Sequence, residues 1–311
     1  MMKFLSRTDH GMINTEAAII DTELGPPFSI VGHDSQSTPF IFNSPHSGRV
    51  YPRSFIAASR LSQRALRKSE DAFVDELFAF APELGAVLMH AHFPRCYLDV
   101  NREPYELDPL LIAGRLPDYA NTHSVRVIGG LGTIARIVNE QEEIYREPIP
   151  LAAALMRIHR LHRPYHHALR DLVEGTRARF GVAFLIDCHS MPSHPGAQDG
   201  GTVPDFVLGD RFGASCRRDL VSCAEACLKD WGFRVVLNKP YSGGYITEAY
   251  GQPARNVHAL QIEVNRALYM DEANFVKSGS FDIVSQKLRE LARLMIEHAG
   301  QFAGAYPRAA E

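Results

Sequence analysis

The apolar positions of this 311-residue chain fall into runs of two kinds, period-two or continuous and period 3.6, and their order predicts a fold. Residues 38–43 read as a strand that runs into Ser44-Pro45-His46-Ser47-Gly48. Over 69–81, Phe73, Leu77 and Phe80 share one helical face and Ser69 is placed to cap it, which predicts a helix. Two strands are expected at 85–91 and 96–100. A long helical stretch follows at 148–180, with a kink at Pro164, and Gly181 closes it before a continuously apolar strand at 182–186. The second half repeats this grammar: strand 205–208, helix 213–231, strands 234–237 and 259–264, and a closing helix over 272–298. Strands alternating with helices, some of them apolar throughout, predict a largely parallel sheet covered on both faces. Residues 101–147 follow neither period. Their Gly129-Gly130-x-Gly132 cluster lacks the spacing of a phosphate loop and is expected to form a flexible loop flanking the active site.

Composition narrows the function classes. Hydrophobic residues at 45% and charged residues at 22% suit a globular chain with a sizeable core. The balance of 33 basic and 36 acidic residues gives a net charge of −3, so no basic field exists to hold nucleic acid or an anionic membrane. No apolar run approaches the ~20 residues of a membrane span. Five cysteines without CxxC spacing argue against a disulfide framework or zinc ribbon, and Cys216, Cys223 and Cys227 read as a buried helical stripe. The N-terminus lacks the apolar core of a signal peptide and carries acid by Asp9, so a reducing cytoplasm is expected. Length alone suggests about two domains. The chemistry-bearing segments, however, are interleaved through both halves, which favours one domain over 1–311, with 1–35 an N-terminal extension and 36–300 the core.

Fourteen histidines stand out, and their positions matter more than their number. Ligands of open α/β sheets gather where strands end. His46 follows the first predicted strand, Asp187-Cys188-His189-Ser190 the buried one, and Glu263-Val264-Asn265-Arg266 ends the late one, with Arg95 and Asp99-Val100-Asn101-Arg102 between. Two histidines and several carboxylates at separate strand ends suit a catalytic zinc with three protein ligands and one open position. A second group, His159, His162, His166 and His167, lies on the long helix. His162 and His166 have HxxxH spacing, but Arg163 and Pro164 follow His162 where HExxH needs a Glu, and four arginines crowd the same helix. This group reads as a polar helix face, with His166 placed to support the site from behind. Cys188 and His189 are strand neighbours that point to opposite faces, so the thiol reads as inert. No GxSxG elbow surrounds Ser44, Ser47 or Ser190.

Five dispersed segments stand out together: Asn43-Ser-Pro-His-Ser-Gly48, Ser69-Glu-Asp-Ala-Phe-Val-Asp75, Pro94-Arg-Cys-Tyr-Leu-Asp-Val-Asn-Arg102, Leu185-Ile-Asp-Cys-His-Ser-Met191 and Gln261-Ile-Glu-Val-Asn-Arg266. In this order they resemble the N-formylglutamate amidohydrolase family. The loop Lys239-Pro-Tyr-Ser-Gly-Gly-Tyr245 and Thr247 match as well. The resemblance spans roughly residues 38–298 and implies a three-layer α/β/α fold with a mixed, largely parallel sheet, like that of zinc carboxypeptidases and phosphorylase/hydrolase folds. It implies hydrolysis of N-formyl-L-glutamate to formate and L-glutamate, a final step of histidine breakdown, with one zinc ion as cofactor. His46 and His189 correspond to the zinc histidines, and Asp71 to the third ligand with Glu70 as the alternative; related carboxypeptidases place a Glu where this chain has Arg49. The plainer role for Asp71 is a helix N-terminal acid. Glu263 corresponds to the general base, its plainer role being an ion pair with Arg266.

Arg95 would stabilise the oxyanion, while Asn101 and Arg102 would bind the α-carboxylate. Tyr241, Ser242, Gly243 and Thr247 would line the substrate side chain, with Lys239 and Arg266 as further anchors. The implied partner is a small N-acyl amino acid, with a homo-oligomer left open. A deacylase or carboxypeptidase-like hydrolase of another N-acyl amino acid, or a non-catalytic binding protein on the same fold, are the alternatives.

Overall fold

The computed structural model describes residues 7–138, 142–193 and 203–302. Residues 1–6, part of the segment read as lacking a signal peptide, lie outside the described residues. Seven strands form the main sheet: β1 Phe28–Val31, β2 Phe40–Ser44, β3 Val87–Ala91, β4 Ala183–Met191, β5 Phe206–Gly209, β6 Val235–Leu237 and β7 Val257–Asn265. Their spatial order is β1-β3-β2-β4-β7-β5-β6. The pairs β2–β3, β2–β4, β4–β7 and β5–β6 are parallel, and only β5–β7 among these neighbours is antiparallel. The fold is therefore the α/β class expected, with a mixed, mostly parallel sheet.

Two compact units are built from interleaved segments of chain. The first comprises the chain up to Ser29, His46–Glu70 and Ala91–Ala168; the second comprises Ile30–Pro45, Asp71–His90 and Leu169 onward. In the second unit the two central strands, β4 and β7, are buried at all nine positions each, as parallel strands covered on both faces must be. One face of this sheet carries Phe184, Ile186, Cys188, Leu260, Ile262 and Val264 into an apolar core. Helices α4 (Arg218–Asp230) and α5 (Phe281–Phe302) close that core with apolar positions at helical spacing: Leu220, Val221, Ala224 and Leu228 from one, Val284, Leu288, Leu291 and Met295 from the other. Cys188 thus points into the core while its neighbours Asp187 and His189 turn to the opposite face.

The first unit holds α1 (Arg7–Glu23), packed on α2 (Leu151–Arg157). A π-helical turn, Ile158–His162, separates α2 from α3 (Arg163–Phe180), so the expected disturbance falls just before Pro164. Between these helices Glu16 accepts from Arg157 Nε and from the Tyr97 hydroxyl at 2.6 Å, and the guanidinium lies 3.9 Å from the Tyr97 ring centroid. None of the described helices is long and apolar enough to cross a membrane.

Several expected elements differ. The single helix over 69–81 is broken into Arg67–Ser69, Val74–Leu77 and Ala81–Leu84, because Glu70 is extended and Phe73 sits at φ 65° in the left-handed region. Ser69 does not cap a helix; its hydroxyl donates back to the Leu66 carbonyl. No strand forms over 96–100: the Tyr97 and Leu98 amides both donate to the Pro94 carbonyl in a tight turn, and Asp99 N–H donates to Thr133. The apolar run there reflects tertiary burial of Cys96, Tyr97, Leu98 and Val100, not a sheet. The strand expected to end at Ile186 runs on to Met191, so Asp187 and His189 are strand residues. The last helix begins at Phe281, after a short antiparallel pairing of Met270–Asp271 with Val276–Lys277, and α4 begins at Arg218, after a turn at Gly213 with φ 86°. Around Gly129–Gly132 the chain is knitted by its own amides: Thr133 N–H donates to Glu106 and Arg136 N–H to the Gly130 carbonyl.

Candidate active site

In the first unit the candidate residues converge on Asp99. His46 Nε2–H donates to its Oδ1 at 2.6 Å, Arg95 Nη2 to its Oδ2 at 2.8 Å, and the Asn101 amide to Oδ1 at 2.8 Å. Arg102 Nη2 lies 3.8 Å from the same carboxylate. Burial alone would raise the Asp99 pKa, but His46, Arg95 and Arg102 outweigh it and hold the carboxyl well below the usual range. An ionised Asp99 on Nε2 fixes the His46 tautomer and puts the ring's lone pair on Nδ1, the arrangement a metal-ligating histidine takes. Gly48 makes the turn after His46 possible. A Cβ there would fall 2.1 Å from the Phe93 carbonyl oxygen, so no other residue fits without moving backbone.

In the second unit the register of β4 against β7 pairs Asp187 with Gln261 and His189 with Glu263, all four on one face. His189 Nε2 lies 2.9 Å from Asp187 Oδ2, and Asn43 donates to the other oxygen of Asp187 at 2.8 Å. The second ring nitrogen, Nδ1, lies 2.9 Å from Asp71 Oδ2. Burial pushes the His189 pKa down, but Asp187, Asp71 and Glu263 overcome it and raise it well above the ordinary value. Asp71 Oδ1 accepts from Arg266 Nη2 at 3.1 Å, while Arg266 Nε donates to Ser190 at 3.1 Å. Arg266, a possible substrate anchor by sequence, is thus spent on orienting Asp71. Glu263 is buried and accepts from Gln261 Nε2 at 2.8 Å, and Gln261 Oε1 accepts the Gly244 amide at 2.8 Å. Gly243 has φ 113°, and Thr247, fully buried, donates to the Gly244 carbonyl. Tyr241 and Ser242 are half-buried, and the Ser242 carbonyl accepts from the Arg211 amide.

Within the second unit, Asp71 and His189 present a carboxylate oxygen and a ring nitrogen to one another, two of the donor types that hold a metal ion. The donor chemistry fits a zinc-like cation. With Nε2–H of His189 on Asp187, the lone pair of the neutral ring falls on Nδ1 and faces an Asp71 carboxylate oxygen; two such donors turned toward each other need a proton or a cation between them. Glu70, the alternative ligand, instead accepts from the Tyr51 hydroxyl at 2.7 Å and from Arg67 Nε at 3.1 Å.

Asp99, Asp187, Asn43 and Gln261 had no role by sequence. The signal for Asp187 and Gln261 was the i, i+2 spacing Asp187-x-His189 and Gln261-x-Glu263, readable only once both pairs are known to lie on strands. Of the helical histidines, His159 and His167 are exposed while His162 and His166 are buried.

The sequence profile of the N-formylglutamate amidohydrolase family matches residues 38–270. The chain is 35% identical over 238 residues to an N-formylglutamate deformylase of Pseudomonas aeruginosa, an alignment covering 75% of this chain and 83% of that protein. It is 31% identical over 237 residues to an N-formylglutamate deformylase of Pseudomonas putida, covering 75% and 82%. The crystal structure of N-formylglutamate amidohydrolase from Ralstonia eutropha superposes with a TM-score of 0.83 at 34% identity, over 88% of this chain and 99% of that one. A gene product of Agrobacterium tumefaciens shares the fold at TM-score 0.64 and 16% identity, over 88% and 94%. On both the profile and these relatives, the chain belongs to the N-formylglutamate amidohydrolase family.

Proposed function

We propose that this chain hydrolyses the formamide bond of N-formyl-L-glutamate, releasing formate and L-glutamate, at one zinc ion held by His46, Asp71 and His189. The observation that carries this reading is that each candidate histidine is oriented by a buried carboxylate of its own, His46 by Asp99 and His189 by Asp187. The names of the Pseudomonas relatives supply the substrate. Zinc bound there would polarise the formyl carbonyl and acidify the attacking water.

The chain's own residues do the rest. Glu263, aimed by Gln261, accepts the proton of the attacking water and returns it to the departing amine. Arg95, steered by Asp99, brings positive charge to the developing oxyanion. Asn101 and Arg102 take the α-carboxylate, and Tyr241, Ser242, Gly243 and Thr247 face the side chain. All five cysteines are free thiols, which supports action in a reducing cytoplasm, where release of L-glutamate suits the end of histidine breakdown.

The test is formate release from a panel of N-formyl, N-acetyl and peptide substrates in the presence of zinc. Turnover of N-formyl-L-glutamate well above the others is expected. Preference for an N-acetyl amino acid or a C-terminal peptide would overturn it in favour of a deacylase or carboxypeptidase.

A further inference from the structure

The histidines left over from the metal chemistry grip the segment that carries Asn101 and Arg102. The π-helical turn Ile158–His162 hands over to α3 so that His162 and His166 lie on one side, their rings stacked with centroids 4.4 Å apart at 30°. His162 Nε2–H donates to the Arg102 carbonyl at 2.9 Å, and His166 Nε2–H to the Val100 carbonyl at 2.7 Å. Both side chains are buried, 2% and 7% exposed. Between the two gripped carbonyls, the Asn101 carbonyl accepts from Arg102 Nη1 at 2.8 Å, and the Asn101 amide is held by Asp99. Three consecutive carbonyls in a stretch with no sheet ladder are thereby satisfied by side chains, two of them by this imidazole pair. Burial pushes the His162 pKa down to about 4, so the ring stays neutral while donating through Nε2–H.

We propose that His162 and His166 are positioning residues: they clamp the backbone on either side of Asn101 and so fix the Asn101 and Arg102 side chains for the substrate's α-carboxylate. This rests on the reading of Asn101 and Arg102 given above. It also explains the HxxxH spacing without a metal, since each Nε2 is committed to a carbonyl. The clamp acts on substrate binding, so its loss falls on KM. A role limited to packing would be met equally by any side chain of similar size.

The experiment compares His162→Phe and His166→Phe, which keep an aromatic ring and lose the donor, with His162→Gln and His166→Gln, which restore an N–H. With N-formyl-L-glutamate as substrate, each Phe variant is expected to raise KM about 10-fold or more while kcat stays within about 3-fold, and each Gln variant to recover most of the loss. Hydrogen exchange followed by mass spectrometry is run on the same proteins without substrate. Amides of 99–102 should exchange about 10-fold faster in the Phe variants. Unchanged KM in the Phe variants, or Gln variants no better than Phe, would overturn the proposal. If the wild-type protein does not hydrolyse N-formyl-L-glutamate, the proposed function fails, and the exchange rates alone decide whether the clamp exists: no acceleration refutes it.

Discussion

Asp187 is where a one-atom change tests how the site is oriented. Asp187→Asn keeps the shape of the side chain but leaves a single acceptor oxygen for two donors, His189 Nε2 at 2.9 Å and Asn43 Nδ2 at 2.8 Å. If the oxygen stays with Asn43, an amide NH2 faces His189. The ring must then accept at Nε2 and carry its proton on Nδ1, the nitrogen that faces Asp71 and would bind zinc. The lost hydrogen bond is charge-assisted and buried, worth about 1.5–3 kcal/mol. That corresponds to roughly 10–100-fold in metal affinity, the size of effect expected of a group that orients a ligand. The assay is zinc titration of the apoprotein against a chromophoric chelator, which needs no turnover, with thermal unfolding run alongside to confirm that the variant is folded. Zinc affinity within about 3-fold of wild type would mean that the Asp187 charge has no hold on the His189 tautomer.

Two further predictions follow from packing and burial. Gly48→Ala would drive its Cβ to 2.1 Å from the backbone oxygen of Phe93. A loss of at least about 2 kcal/mol is expected in urea unfolding, and an unchanged midpoint would contradict it. His258, 4% exposed and stacked on Phe184, has neither ring nitrogen hydrogen-bonded among the described residues, and burial pushes its pKa from 6.5 to about 4. Between those two values the unfolded chain binds a proton that the folded chain refuses, so stability falls as pH drops through this window, by about 1.4 kcal/mol per pH unit for one histidine. His258→Phe should flatten the stability curve between pH 6.5 and 4 by about one proton, measured by urea unfolding across that range; an unaltered slope would show that His258 does not titrate as described.

The candidate site was chosen from the sequence because its residues sit where apolar runs end. His46 follows β2, while His189 and Glu263 lie near the carboxyl ends of β4 and β7, where the continuous apolar pattern gives way to charge. What was lost was lost for physical reasons. The apolar faces of β4 and β7 alternate with Asp187, His189, Gln261 and Glu263, and a run broken by charge looks like a strand's end, not its functional half. Over 69–81 the helical spacing is real but local. Glu70 and Asp71 are held outside helical geometry with tertiary partners, Tyr51 for one, His189 and Arg266 for the other, and such contacts are invisible in a propensity. Asp99 gave no local signal for its role as the partner of His46, since 53 residues separate them. The same holds for Glu16, which reaches Arg157 across 141 residues of sequence.

The proposed water attack, assisted by Glu263 at a zinc held by His46, Asp71 and His189, stands or falls on Glu263→Gln read in two ways on one preparation. Elemental analysis should find zinc bound as in the wild type, and formate release from N-formyl-L-glutamate should fall by at least about 100-fold in kcat. A zinc-loaded Glu263→Gln protein that releases formate at a near-normal rate would contradict it.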